Sequence, residues 1–494
     1  MRCIAAFDIG TTAVKAVLVG FSGEEYITLS RDIPILLDHD IKEQDPEEWW
    51  HAFCELSRLM IAECPDHQIC GIVMSGQMQD VIPVGRDLRA VCPAILYSDG
   101  RAYAEAEELS EAVGEDRILE ITGNHCDGSL SLPKIMWLKR HKPEVYDKTR
   151  CFLISSKDYV IARLTGVCAG DYTACSTACA MDIQTKCWSS LILSASGVSP
   201  DRMPKLFVSH EMAGRVNGSA SLESGYPAGT PVYIGAGDAG ATTLASGIMK
   251  EGQFNINLGT SGWVATISEK PAFNEGGIFN LAAMPERKII NVVPFLNAGN
   301  VHRWLGILFS DCKQSPDYDR IEKLLENSRP GANGLIALPY LLGERFPVLD
   351  PSVRGAFAGI TPETEKGDLV RAMLEGVAYS IRQGMEMIGE TPVNISLIGG
   401  GGQSAGWCQI MADILGHRVT VFRNSDTLPA RAVAAAALIG EGIYPDYRAF
   451  TESLDQDLQT VVYTPNQENH EFYNRNYQRA VRLYSALADW YRSE

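Results

Sequence analysis

Phe7-Asp8-Ile9-Gly10-Thr11-Thr12 stands near the start of the chain, and an altered copy, Ile256-Asn257-Leu258-Gly259-Thr260-Ser261, stands about half a chain later. Short apolar runs rich in β-branched residues flank both. They are Ile4-Ala5-Ala6 and Val14 to Val19 around the first, Phe254 to Ile256 and Trp263 to Ile267 around the second. This pattern predicts strand, glycine turn, strand. Turn tips of this kind carry hydroxyls and tightly turned backbone N–H groups that can wrap a phosphate from two sides. A single Gly-Thr hairpin is ordinarily only a hairpin. Two of them, one heading each half, point to a nucleotide clamped in a cleft between related domains.

At 494 residues the chain is too long for one core and suits two large domains. Its 46% hydrophobic and 21% charged residues are those of a folded globular protein rather than a disordered one. A net charge of −18 argues against nucleic acid or an anionic membrane surface as partner. It also means that an anionic ligand must be held by local dipoles and a cation. The 13 cysteines are odd in number and scattered through apolar segments, so buried reduced thiols are expected. Cys175-x3-Cys179 lacks the second ligand pair of a structural zinc site. Asp8 interrupts an already short apolar stretch, no secretory pattern is visible, and no run approaches 18 apolar residues. These features predict a cytoplasmic protein.

Strand and helix patterns alternate, which predicts α/β layers. Asp45-Pro46-Glu47-Glu48 predicts a helix start, with Trp49, Phe53, Leu56 and Met60 following at helical spacing as core. Gly71 to Gly76 and Pro231 to Gly235 read as buried strands ending in glycine turns. Ile395 to Ile398 reads as a strand running into Gly399-Gly400-Gly401-Gly402-Gln403, with a helix over 405–415. An Ala- and Gly-rich helix from Asp238 to about Gly247 closes the first half. The predicted domains are therefore 1–246 and 247–494.

No Gly-x4-Gly-Lys-Ser/Thr occurs, which excludes a P-loop. Gly235-x-Gly237-x2-Gly240 matches the dinucleotide fingerprint, but Asp238 inside that loop would repel a pyrophosphate. Asp8 sits two residues before the first glycine turn. It is either a cap for its own turn or a carboxylate for Mg2+ against nucleotide phosphates. The second copy has Asn257 at that position, which fits a single metal site. Asp238, at a strand end between glycines, is a candidate proton acceptor for an attacking hydroxyl, or the cap of the helix that follows. Four bare glycines at 399–402 are either a flexible surface loop or a flat surface for an adenine or ribose.

Together these segments resemble the FGGY carbohydrate kinase family over nearly the whole chain. Asp8 to Ala16 is similar to its first phosphate motif, Gly259-Thr260-Ser261-Gly262 to its second, and Gly399 to Gln403 to its adenosine motif. Pro133 to Lys139, and Gly355 to Ile360 with Asp368 to Glu375, resemble its two signatures. Glu43 to Trp50, Gly76-Gln77-Met78, Tyr97 to Arg101 and Tyr340 to Arg345 are most similar to the xylulokinase branch. The resemblance implies two duplicated actin/hexokinase-like, ribonuclease H-like domains with a nucleotide cleft between them. It implies ATP and Mg2+, family members that are often homodimers, and γ-phosphoryl transfer to a ketopentose, D-xylulose first. Asp238 would be the base and Asp8 would assist the metal, both carboxylates lying at the metal site. Met78, Gln79, Asp99, Arg101 and Asp238 would contact the sugar. The nucleotide would meet Gly10, Thr11, Thr12, Lys15, Gly259, Thr260, Ser261, Gly400, Gly401, Gln403 and Asn424. Gln79 and Ala239 depart from the His and the Asn or Gln usual in that branch, so another polyol or a sugar acid is the alternative acceptor. An actin- or chaperone-like ATPase is the rival from outside sugar chemistry.

Overall fold

The computed structural model describes residues 1–491 apart from 39–40, 274–276, 286, 312–314, 351, 424 and 455–458. Two seven-stranded mixed sheets organise it. In the first, the order across the sheet is Met212–Arg215, Pro231–Tyr233, Gln68–Gly76, Arg2–Ile9, Ala13–Gly20 and Glu25–Asp32. The two-residue strand Ala236–Gly237 also pairs with Gln68–Gly76. In the second, the order is Thr460–Tyr463, Val419–Phe422, Asn394–Ile398, Gln253–Leu258, Gly262–Ser268, Ile289–Phe295 and Phe279–Ala282. Both sheets place an antiparallel hairpin beside a parallel neighbour, and the partner strand sets the register. Asp8 pairs with Lys15 and Ser75, and Asn257 with Trp263 and Ile398. The duplication read from the two hairpins is therefore a duplication of sheet topology.

The central strand Arg2–Ile9 is apolar on both faces because both are covered, as expected for a strand flanked by a parallel neighbour. Cys3, Ala5, Phe7 and Ile9 meet the helices Pro46–Glu63 and Ser156–Thr165. Asp45 caps the first of these by accepting from Glu47 N, and Trp49, Phe53, Leu56 and Met60 are buried as predicted. Ile4, Ala6, Val17, Val19 and Val73 turn to the other face, where Leu428–Gly440 lies against them. That helix comes from the second half of the chain. Its run Ala434 to Ala437 lets it approach the sheet closely, and it packs beside Asp238–Ala245. The long helix Lys366–Ile388 and the helix Ala405–Leu415 cover the second sheet.

Among the described residues no helix is long and apolar enough to cross a membrane, and the described cysteines are free thiols. The expectation that all are buried needs correcting. Cys187 is exposed and Cys64, Cys70, Cys92, Cys126 and Cys168 are partly so, since each lies at an element end or in a loop.

Candidate active site

Asp8 and Asp238 occupy neighbouring strand ends. Gly237 pairs with Gly76 and Asp8 with Ser75, so the strand Gln68–Gly76 runs between the two carboxylates. Asp8 accepts from Ser75 Oγ at 2.8 Å rather than capping its own turn. Burial raises its proton affinity, against the opposing hydrogen bond from Ser75 and the charge of Lys15. Asp238 is the first residue of the helix Asp238–Ala245, and Gly237 takes the cap position. Among the described residues its Oδ1 accepts only from its neighbour Ala239 N, at 2.7 Å. Burial first, and then the charge of Asp8, push its pKa up to about 7. The approach is close here, since a Cβ on Gly237 would stand 2.2 Å from Met78 Sδ.

A cleft of about 190 Å³ opens at Asp238. Met78, Gln79, Ala239 and Thr11 line it from the first half, and Ser261 from the second. Gln79 holds a left-handed backbone, φ 66°, and its amide donates to Ser129 Oγ at 2.8 Å. Beneath it the buried Lys134 donates to Gln79 O at 3.1 Å and Leu96 O at 2.7 Å. That ammonium therefore fixes two wall segments at once. Burial pulls its pKa down to about 7, opposed by the Asp80 charge.

Asp99 and Arg101 do not line this cleft. Their side chains are spent on each other, Arg101 Nη2 to Asp99 Oδ2 at 2.6 Å and Arg101 Nη1 to Glu43 Oε1 at 2.8 Å. Arg101 also lies over the Trp137 ring at 5.0 Å. Tyr97, two residues earlier, lines the cleft, as do Thr177, Trp263 and Arg345. Tyr97, Trp263 and Arg345 fall within or beside motifs legible in the sequence. Thr177 carries no sequence signal.

A second cavity, of about 600 Å³, lies on the other side of the hairpin tip. Gly259 and Thr260 face it, as do Gly400, Gly401 and Gln403. The carbonyls of Gly259 and Thr260 are taken by Gly299 N and Asn300 N, both at 2.9 Å. The glycine run forms a short 3₁₀ turn, Gly400–Gln403. A Cβ on Gly401 would stand 2.7 Å from Leu258 Cβ, whereas one on Gly400 would meet nothing within 4 Å. Glycine 401 is thus needed for packing, and glycine 400 leaves bare backbone toward the cavity. His302, between Tyr318 and Trp407 with ring centroids at 4.8 and 5.4 Å, completes a wall that sequence reasoning missed.

Gly10, Thr12 and Lys15 line neither cavity. Thr12 is exposed, and Lys15 Nζ donates to Asp426 O at 3.0 Å, across the two halves. Thr11 Oγ1 donates to Gln77, whose amide donates to Gln44 Oε1 at 2.9 Å, so the first hairpin is braced from behind. Asn424 lies outside the described residues.

The FGGY carbohydrate kinase N-terminal domain matches residues 3–245, and its C-terminal domain residues 254–440. The xylulose kinase of Staphylococcus xylosus is 30% identical over 498 residues, covering 99% of this chain and 100% of that protein. A gluconokinase of Bacillus subtilis is 28% identical, covering 98% and 97%. The crystal structure of a xylulose kinase from Rhodospirillum rubrum superposes with a TM-score of 0.90 at 27% identity, covering 99% and 100%. With two sheets of one topology, a cleft at a half-buried aspartate and both family domains matched, this chain belongs to the FGGY family of carbohydrate kinases.

Proposed function

We propose that this kinase transfers the γ-phosphoryl group of ATP to a hydroxyl of a ketopentose, D-xylulose in first place. The observation that carries this reading is Asp238, which lines the narrow cleft together with Ser261 of the second hairpin. An acceptor hydroxyl in that cleft would lie between a carboxylate able to take its proton and a tip able to hold the phosphate. A raised pKa makes Asp238 a stronger acceptor than an ordinary aspartate. Met78 and Gln79 would hold the sugar from the first half, assigned here to 1–246. Gly259, Thr260, Gly400, Gly401 and Gln403 of the second half, 247–494, would hold the nucleotide. In this reading Asp99 and Arg101 serve the sugar by holding the segment that carries Tyr97.

The residues also fit Mg2+. Among the described residues no cluster of three His, Cys, Asp or Glu side chains could hold a metal ion. A pair of carboxylates, each with raised proton affinity, suits an ion that takes one or two carboxylates and completes its shell with phosphate oxygens and water. Asp8 and Asp238 would hold it, and the ion would neutralise charge on the phosphates.

Coupled ADP release with Mg-ATP against D-xylulose, D-ribulose, gluconate, glycerol and erythritol tests the assignment. D-xylulose is expected to give the highest kcat/KM. Arg345 favours a second reading, since it lines the cleft and no described carboxylate pairs with it. A guanidinium so placed suits a sugar acid, and preference for gluconate would replace the ketopentose. Silence across the panel with ATP still bound would overturn both.

A further inference from the structure

Three fully buried charged side chains lie behind Asp238 and belong to neither cavity: Lys157, Asp158 and Asp171. Lys157 Nζ pairs with Asp158 Oδ1 at 2.5 Å and with Asp171 Oδ2 at 2.8 Å. Such a cluster is a poor way to gain stability, because well-packed apolar residues of similar volume do as well or better. Its placement gives a different reason for it. Asp171 Oδ1 accepts from Ala174 N at 3.0 Å, capping the short helix Tyr172–Cys175. The same oxygen accepts from Gly237 N at 3.2 Å. Gly237 is the residue before Asp238, and Met78 crowds it on the cleft side.

The Lys157 end is anchored equally well. It lies in the first turn of the helix Ser156–Thr165. Ser156 Oγ donates to Ile9 O at 2.6 Å and Ser155 Oγ to Gln77 O at 2.7 Å. One helix start thereby docks the strand end of Asp8 and the segment leading to Met78 and Gln79. Through Lys157 and Asp171 it docks the strand end of Asp238 as well.

We propose that Asp171, its buried charge balanced by Lys157, is a positioning residue that aims Asp238 at the acceptor by holding the Gly237 N–H. The proposal rests on the reading of Asp238 as the base. Asp171→Asn and Asp171→Ser separate positioning from stability. Both lose the ion pair and both keep an oxygen to cap Ala174 N. Only the Asn side chain retains the length to reach Gly237 N as well. D171N is expected to keep kcat within about fivefold of wild type. D171S is expected to lose about 30- to 100-fold in kcat with KM for sugar and ATP within about threefold, as for a catalytic group misplaced by about an ångström. Thermal unfolding should show similar losses of stability for both. If D171S does not fold, Asp171→Glu replaces it, keeping the charge while shifting the carboxylate by one bond, and the same loss of kcat is expected. Equal kcat in D171N and D171S, or a D171E as active as wild type, would overturn the proposal. Asp238→Asn serves as the reference. If it remains active, the reading of Asp238 fails; if it collapses while D171S stays within threefold of wild type, only the role of Asp171 fails.

Discussion

Asp238 gathers most of what a single residue contributes here. An ordinary aspartate is ionised throughout the neutral range, but burial and the Asp8 charge hold this one near 7. A base works only without its proton. The kcat/KM should therefore be flat above pH 7 and fall about tenfold per unit below it, with the acid form accumulating. A kcat/KM profile flat from pH 8 down to pH 5.5 would remove Asp238 from that role. Asp238→Asn should lower kcat by about 10²- to 10⁴-fold and leave ATP binding within a few-fold, read by isothermal titration. At the next position, Ala239 lines the cleft with a methyl group where an amide could bond a sugar hydroxyl. Ala239→Asn should therefore lower KM for the preferred ketose by roughly five- to tenfold, the worth of one hydrogen bond to a buried hydroxyl. An unchanged or higher KM would mean that the sugar does not reach that wall.

At the scale of the element, the helix Lys366–Ile388 carries a buried carboxyl of its own. Glu375 accepts from Tyr473 OH at 2.6 Å and Gly331 N at 2.9 Å, and burial raises its pKa to about 7. Its folded pKa lies above the unfolded one, so the folded protein holds the proton more tightly. That advantage is complete below about pH 4.5 and fades as pH rises to 7, a change on the order of 1–3 kcal/mol. Glu375→Gln keeps an acceptor and carries no charge. Urea unfolding should thus show the variant gaining on wild type between pH 5 and pH 8; an equal difference at both would contradict the assignment. Elements such as these were legible because their signals are local. The Asp45 cap, the two hairpins and the helix 405–415 each lie within about twenty consecutive residues of sequence. Asp99 and Arg101 illustrate the opposite case. They sit in a kinase-like segment, yet their direction is decided by Glu43 and Trp137, which are remote in sequence and adjacent in space. The wall built by His302 and Tyr318 was equally illegible, because two separated residues meet only after the helices 299–308 and 318–326 pack.

For the whole molecule, the helix Leu428–Gly440 matters most, because the second half of the chain uses it to complete the core of the first. Ile4, Val17, Val19 and Val73 are fully buried, and that helix is part of their cover. Arg431 Nε donates to Gly23 O at 2.7 Å, Lys15 Nζ to Asp426 O at 3.0 Å and Ser453 Oγ to Ser22 O at 3.0 Å, so polar bonds border the same seam. Each large apolar side chain uncovered there would cost up to about 1.5–3 kcal/mol, and four of them approach the whole stability of a typical domain. A division at 246/247 falls between the two sheets, and the halves are expected not to be stable apart. Residues 1–246 produced alone should bind a hydrophobic dye and unfold without a sharp transition. Adding residues 247–494 in trans should suppress the dye signal. The intact chain should melt in one cooperative step, and bound ATP should raise the temperature of that step rather than split it. A fragment 1–246 that is monomeric, dye-silent and cooperative in calorimetry would show that the seam is a contact between finished domains. In that case closure could be a free hinge motion. If the fragment is incomplete, the shared helix restricts how far the halves can separate, and opening of the cleft must bend the chain at the margins of the seam rather than break it.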